Sequence, residues 1–95
     1  MVESEKKIEA YLRTQVEGLR GLALKLPSIH FIGLPDRICL LPKGRIFFAE
    51  LKTTKKKPSK IQIKVHDKIK GLGFNVYVID SCAQIDKILA DYGRE

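Results

Sequence analysis

Residues 36–52, DRICLLPKGRIFFAELK, set two apolar, strand-like runs on either side of Pro42-Lys43-Gly44. A proline and a glycine in a three-residue break between two such runs make a β-hairpin the natural fold of the segment. With the turn centred on Lys43, Leu41 faces Arg45, Leu40 faces Ile46, Ile38 faces Phe48, and Asp36 falls opposite Glu50. Side chains alternate along a strand. In this register Asp36, Ile38 and Leu40 share a sheet face with Ile46, Phe48, Glu50 and Lys52; a one-residue bulge would break the arrangement. Opposed residues have Cβ atoms roughly 4.5–5.5 Å apart, so Asp36 and Glu50 are placed to repel. A divalent cation removes that conflict, because hard cations take carboxylate oxygens together with water and substrate phosphate oxygens. Lys52 is positioned to orient a hydrolytic water or to stabilise charge on a phosphate. Taken alone, Glu50 and Lys52 also read as an exposed strand pair in a weak salt bridge.

The rest of the chain supplies elements around this hairpin. Ile8, Leu12, Val16 and Leu19 recur at helical spacing and predict an amphipathic helix from Glu3 to about Leu19, stopped at Gly21. Leu22–Leu26 reads as a short strand ended by Pro27, and HFIGLP (30–35) as a loop leading to Asp36. After the polar stretch 53–57, Pro58-Ser59 opens a helix from Lys60 to about Leu72, with Ile61, Val65, Ile69 and Leu72 as its expected buried face. Phe74–Ile79 (FNVYVI) is the clearest strand and suits a sheet interior; a last helix runs from Gln84 to about Tyr92. The order α-β-β-β-α-β-α predicts an α/β fold with a mixed central sheet flanked by helices. With 95 residues, a single domain spanning 1–95 is expected. A chain of this size buries only about 60–65% of its unfolded surface, which makes a partner subunit useful.

Charge is concentrated. Of the net +7, residues 43–70 hold ten Lys/Arg against Glu50 and Asp67, a local +8. Such a segment marks either a polyanion partner such as nucleic acid or a solvated lysine-rich face. Cys39 and Cys82 fit neither a disulfide framework nor a four-ligand zinc spacing and read as reduced, core-type residues. No apolar run approaches a membrane span, and MVESEKKIEA has no secretory core, so a cytoplasmic location is expected.

GLPDR (33–37) and FFAELK (47–52) resemble the motif of the PD-(D/E)xK nucleases. More narrowly, EKKIEAYL, GLALKL, GLPDRICLLPKGRIFFAELK, KPSKIQ and GFNVYVI, in that order, resemble the VRR-NUC family, the virus-type replication-repair nuclease domain. The resemblance implies a restriction-endonuclease-like core and an Mg²⁺- or Mn²⁺-dependent deoxyribonuclease. By resemblance Asp36, Glu50 and the backbone carbonyl of Leu51 hold the metal, and Lys52 serves the hydrolytic water and phosphate. A first-helix glutamate, Glu5 or alternatively Glu9, supports the ion.

The family glutamine corresponds to Gln62, which would contact phosphate or position water. Ser59-x-x-Gln62 is equally a capping box, and the two roles are compatible. His66 is expected to be a surface histidine, although it could face the site. Lys25, Lys55, Lys56, Lys57, Lys60 and Lys64 are expected phosphate contacts, which position DNA without reading sequence. Small viral relatives resemble Holliday-junction resolvases and act as homodimers, and a phage or bacterial origin follows from the same likeness. The specific expectation is a homodimeric endonuclease on branched DNA. The alternatives are a flap or nicking nuclease in phage replication or DNA degradation, a non-catalytic nucleic-acid-binding module, and a basic surface for an acidic protein partner.

Overall fold

A computed structural model describes residues 3–27, 29–52 and 57–93. Its elements are α1 (Glu5–Gly18), β1 (Leu22–Lys25), β2 (Arg37–Leu41), β3 (Arg45–Leu51), α2 (Lys60–Gly71), β4 (Asn75–Ile79) and α3 (Cys82–Tyr92). They follow the expected order. The strands form one sheet in the order β1-β2-β3-β4. The first three are antiparallel, and β4 runs parallel to β3 through the α2 crossover.

Each helix begins on a serine whose side chain accepts a backbone N–H of the first turn: Ser4 from Lys7, Ser59 from Gln62, Ser81 from Gln84. These caps satisfy donors that a helix start otherwise leaves open. The hairpin register is the one read from the sequence, with Leu41 opposite Arg45, Leu40 opposite Ile46 and Ile38 opposite Phe48. Its turn takes Lys43 and Gly44 through positive φ, 68° and 72°. Two successive left-handed residues match the twist of the flanking strands, and a glycine at the second position lowers the steric cost.

One sheet face carries the core. Cys39, Leu41, Phe47, Ala49, Leu51 and Ile79 meet Ile8, Leu12 and Val16 of α1 and Ile85 and Leu89 of α3. Phe47 is fully buried, edge-on to Tyr77 with ring centroids 5.5 Å apart. Tyr11 Oη of α1 donates to Asp86 of α3 at 2.7 Å, tying the two helices together. Cys39 sits inside this core, and burial pushes its thiol pKa up to about 12. Cys82 is half-buried at the start of α3, and both cysteines are free.

The opposite face, bearing Ile38, Leu40, Ile46, Phe48 and Glu50, is only partly covered by α2. Two expectations fail here. FNVYVI is an edge strand, not an interior one. Its apolar pattern reflects burial of both faces, with Val76 and Ile79 buried on opposite sides, and says nothing about lateral neighbours. The apolar line of α2 is also not its buried face. Ile61 is 47% exposed and Leu72 65%, whereas His66 is 4% exposed. The helix turns Gln62 and His66 down toward Glu50 and presents Ile61 and Ile69 to the loop before Asp36. Among the described residues no helix is long and apolar enough to cross a membrane.

Candidate active site

The hairpin register fixes the position of the acidic pair. Asp36 precedes β2 and Glu50 is the next-to-last residue of β3, so each lies one step beyond the last recorded pair, Arg37 with Ala49. The backbone holds Asp36 from several sides. Its carbonyl accepts the Leu26 N–H at 2.7 Å and the Arg37 guanidinium at 3.0 Å. Its Oδ2 accepts the Leu51 N–H at 3.0 Å. The other oxygen, Oδ1, is buried with no hydrogen-bond partner among the described residues.

Glu50 is nearly inaccessible, at 3% exposure. Its Oε2 accepts from Gln62 Nε2 at 3.0 Å and pairs with Lys52 Nζ at 3.3 Å. Its Oε1 is a second orphaned buried oxygen, and the nearby His66 Nε2, 3.7 Å away, is an orphaned nitrogen. That separation is too long for a hydrogen bond. Burial, and then the negative charge of Asp36, push the Glu50 carboxyl above its ordinary range, with Lys52 opposing them. Burial, and then Lys70, push the His66 imidazole below its ordinary value and favour its neutral form.

Gln62 fills the anticipated cap and also reaches the acidic pair. It completes the α2 capping box, with its Oε1 accepting the Ser59 N–H at 2.8 Å. Its amide nitrogen meanwhile fixes Glu50. His66 corrects the expectation of a surface histidine. It lies one helical turn after Gln62, and that i, i+4 spacing was the available signal that both face Glu50.

The first-helix glutamates differ in their surroundings. Glu9 Oε2 pairs with Arg37 at 2.5 Å, whereas Glu5 is exposed on the first turn of α1. Both line a cleft of about 190 Å³ with Asp36 and Leu51. Arg37 was missed by sequence reasoning. It is 8% exposed, and its place in alternation with the buried Cys39 and Leu41 marks it as inward-facing. Lys25 lies opposite Arg37 on β1 and shares a cleft with Glu9, so it stands apart from Glu50. Lys57, Lys60 and Lys64 are exposed; Lys55 and Lys56 lie outside the described residues. Among the described residues no three His, Cys, Asp or Glu side chains form a complete metal cage. The arrangement is instead two carboxylates that each keep one buried oxygen unpartnered among the described residues, near enough that the charge of Asp36 acts on Glu50.

The αβββαβα order, with a hairpin feeding a crossover helix, defines a restriction-endonuclease-like α/β domain. A solved structure of a VRR_NUC domain shares this fold with a TM-score of 0.85 and 35% identity, over 93% of this chain and 96% of that one. The protein named "Putative nuclease p44" from Acyrthosiphon pisum secondary endosymbiont phage 1 is 39% identical over 77 residues, 81% of this chain and 83% of its own. No protein-family model matches the chain. The chain belongs to the VRR-NUC family of nucleases.

Proposed function

We propose that this chain is an Mg²⁺- or Mn²⁺-dependent endonuclease that hydrolyses phosphodiester bonds in branched DNA, with junction resolution by a homodimer as its specific reaction. The observation that carries the reading is the pair of orphaned, buried oxygens, Asp36 Oδ1 and Glu50 Oε1. Leaving such groups unsatisfied costs about 1–3 kcal/mol each, and more when they are charged. They are hard oxygen donors, and Mg²⁺ is usually held by one or two carboxylates plus waters and substrate phosphates rather than by an all-protein cage. Asp36, Glu50 and the Leu51 carbonyl would hold the ion, with Glu5 as supporting acid because Glu9 is committed to Arg37. When bound, such an ion supplies Lewis-acid polarisation of the phosphoryl group and a lowered pKa for water.

The remaining roles belong to the chain. The Leu51 N–H and Gln62 Nε2 each tether one carboxylate oxygen, so that the other oxygen of each group is aimed. Lys52, held against Glu50 Oε2, offers an ammonium to the phosphate as negative charge grows on it. Lys57, Lys60 and Lys64, together with Lys55, Lys56 and Lys25, contact phosphates along the strand. A two-fold dimer carries two such sites and cuts two strands symmetrically. A cytoplasmic site of action accompanies this reading.

The test is cleavage of a four-way junction and a flap, side by side, in Mg²⁺. Paired symmetric nicks in the junction are expected, and Asp36→Ala should lose them by more than the roughly 10–100-fold cost of losing an outer partner. Preferential flap cutting would replace junction resolution with flap processing. Activity unaffected by Asp36→Ala would come from a contaminant and leave a binding module.

A further inference from the structure

The α2 helix has a second working face. Beside Gln62 and His66, which turn to Glu50, Ile61, Val65 and Leu72 form one wall of an open groove of about 460 Å³. Phe31 and Ile32, from the loop that ends at Asp36, form the other wall. These are not buried core residues: Phe31 is 57% exposed and Ile32 68%. The loop is nevertheless anchored. Gly33 has φ of +96°, and a Cβ there would stand 2.8 Å from Val65 Cγ2 and 3.0 Å from the Ile61 carbonyl oxygen. Pro35 is fully buried. The groove is thus held against the same helix, and joined by the same loop, as the acidic pair. Two lysines, Lys64 and Lys68, line it as well.

We propose that this groove is a docking pocket for an unpaired nucleobase of the DNA substrate, stacked on Phe31 and held through its flanking phosphates by Lys64 and Lys68. The proposal rests on the nuclease reading above and specifies what that nuclease recognises. Three observations choose this occupant. The pocket is apolar with cationic edges, which matches a base with a flat π-face flanked by phosphates. Its volume falls within the about 300–1,000 Å³ of small-molecule sites. It is continuous with the acidic pair through residues 33–36, so a base seated in it brings a neighbouring phosphate toward Asp36. A second copy of the chain fits less well, because an isologous contact brings each lysine pair against its own symmetry mate. A pocket for an unpaired base selects branched or gapped DNA over continuous duplex, since a stacked, paired base is costly to extract.

The experiment compares wild type, Phe31→Ala and Phe31→Trp in EDTA, where binding is separated from cleavage. Two DNAs are used, a continuous duplex and the same duplex with a short unpaired stretch carrying 2-aminopurine. Phe31→Ala should bind the unpaired substrate about tenfold more weakly, the order expected for removal of one base stack, with the duplex unchanged. Phe31→Trp should restore affinity. Wild type should shift the 2-aminopurine fluorescence and Phe31→Ala should not. Equal affinities of wild type and Phe31→Ala for the unpaired DNA would overturn the proposal. A parallel loss on both DNAs, with the mass in light scattering halved, would make the groove a subunit interface. Wild type that neither binds nor cuts any DNA would remove the nuclease reading itself, and the pocket with it.

Discussion

The two faces of the sheet are built on opposite terms. Against α1 and α3, every core side chain from Ile8 to Leu89 is at most 7% exposed and apolar. Against α2, the most buried side chains are Glu50 and His66, while Ile61 and Leu72 lie open. Apolar burial contributes about 1.5–3 kcal/mol per large side chain, and buried unsatisfied polar groups subtract from stability. One face therefore holds the fold together. The other carries groups that an unliganded fold would do better without. Such a division is expected where a site is pre-organised on a rigid scaffold.

The largest expected contrast comes from neighbouring phenylalanines on β3. Phe47→Ala, on the packed face, should cost about 3–5 kcal/mol. Phe48→Ala, half-buried on the other face against the edge of Phe74, should cost roughly half as much. Urea unfolding of the two variants measures the difference; equal costs would erase the distinction between faces. A smaller effect separates the two jobs of Gln62. Ser59→Ala and Gln62→Ala both weaken the α2 cap, at about 1 kcal/mol each. Only Gln62→Ala also releases Glu50 Oε2, and it alone should slow cleavage, by roughly 10–100-fold. Equal activity in the two variants would reduce Gln62 to a cap. Smallest is the contribution of single lysines. Lys60→Gln and Lys64→Gln should weaken binding to all DNA sequences alike and lower the salt slope of the affinity by roughly 0.9 for each phosphate that is no longer neutralised. An unchanged slope would take α2 out of the interface.

Much of the packed face was legible because its chemistry is periodic. The Ile8-Leu12-Val16 spacing located α1, and turn residues around Lys43 fixed a register that put Asp36 against Glu50. Less of the α2 face was legible. Its apolar residues follow a helical period as regular as that of α1, yet they line a groove instead of a core. Periodicity identifies a face without naming what covers it. Residues defined by pairing across the fold were the hardest to read. Arg37 is buried because Glu9, distant in sequence, meets it, and His66 because α2 rotates toward β3. In FNVYVI the apolar pattern carries burial on both faces but not the number of lateral neighbours, which is one.

On the proposed reading, Asp36 and Glu50 are tolerated together because a dication joins them. Thermal unfolding of wild type and Glu50→Gln, with and without Mn²⁺, tests it most directly. A carboxyl whose folded pKa is raised stabilises the fold while protonated. That stability is lost as pH rises from the ordinary 4.5 through the raised folded value. Without metal at neutral pH, Glu50→Gln should therefore melt above wild type, with the gap closing as the pH falls toward 4.5. Mn²⁺ at a hundredfold over its dissociation constant should raise the wild-type Tm by about 10–20 °C and leave Glu50→Gln, inactive but still DNA-binding, nearly unmoved. A wild-type Tm indifferent to Mn²⁺, or a variant that responds equally, would contradict the account.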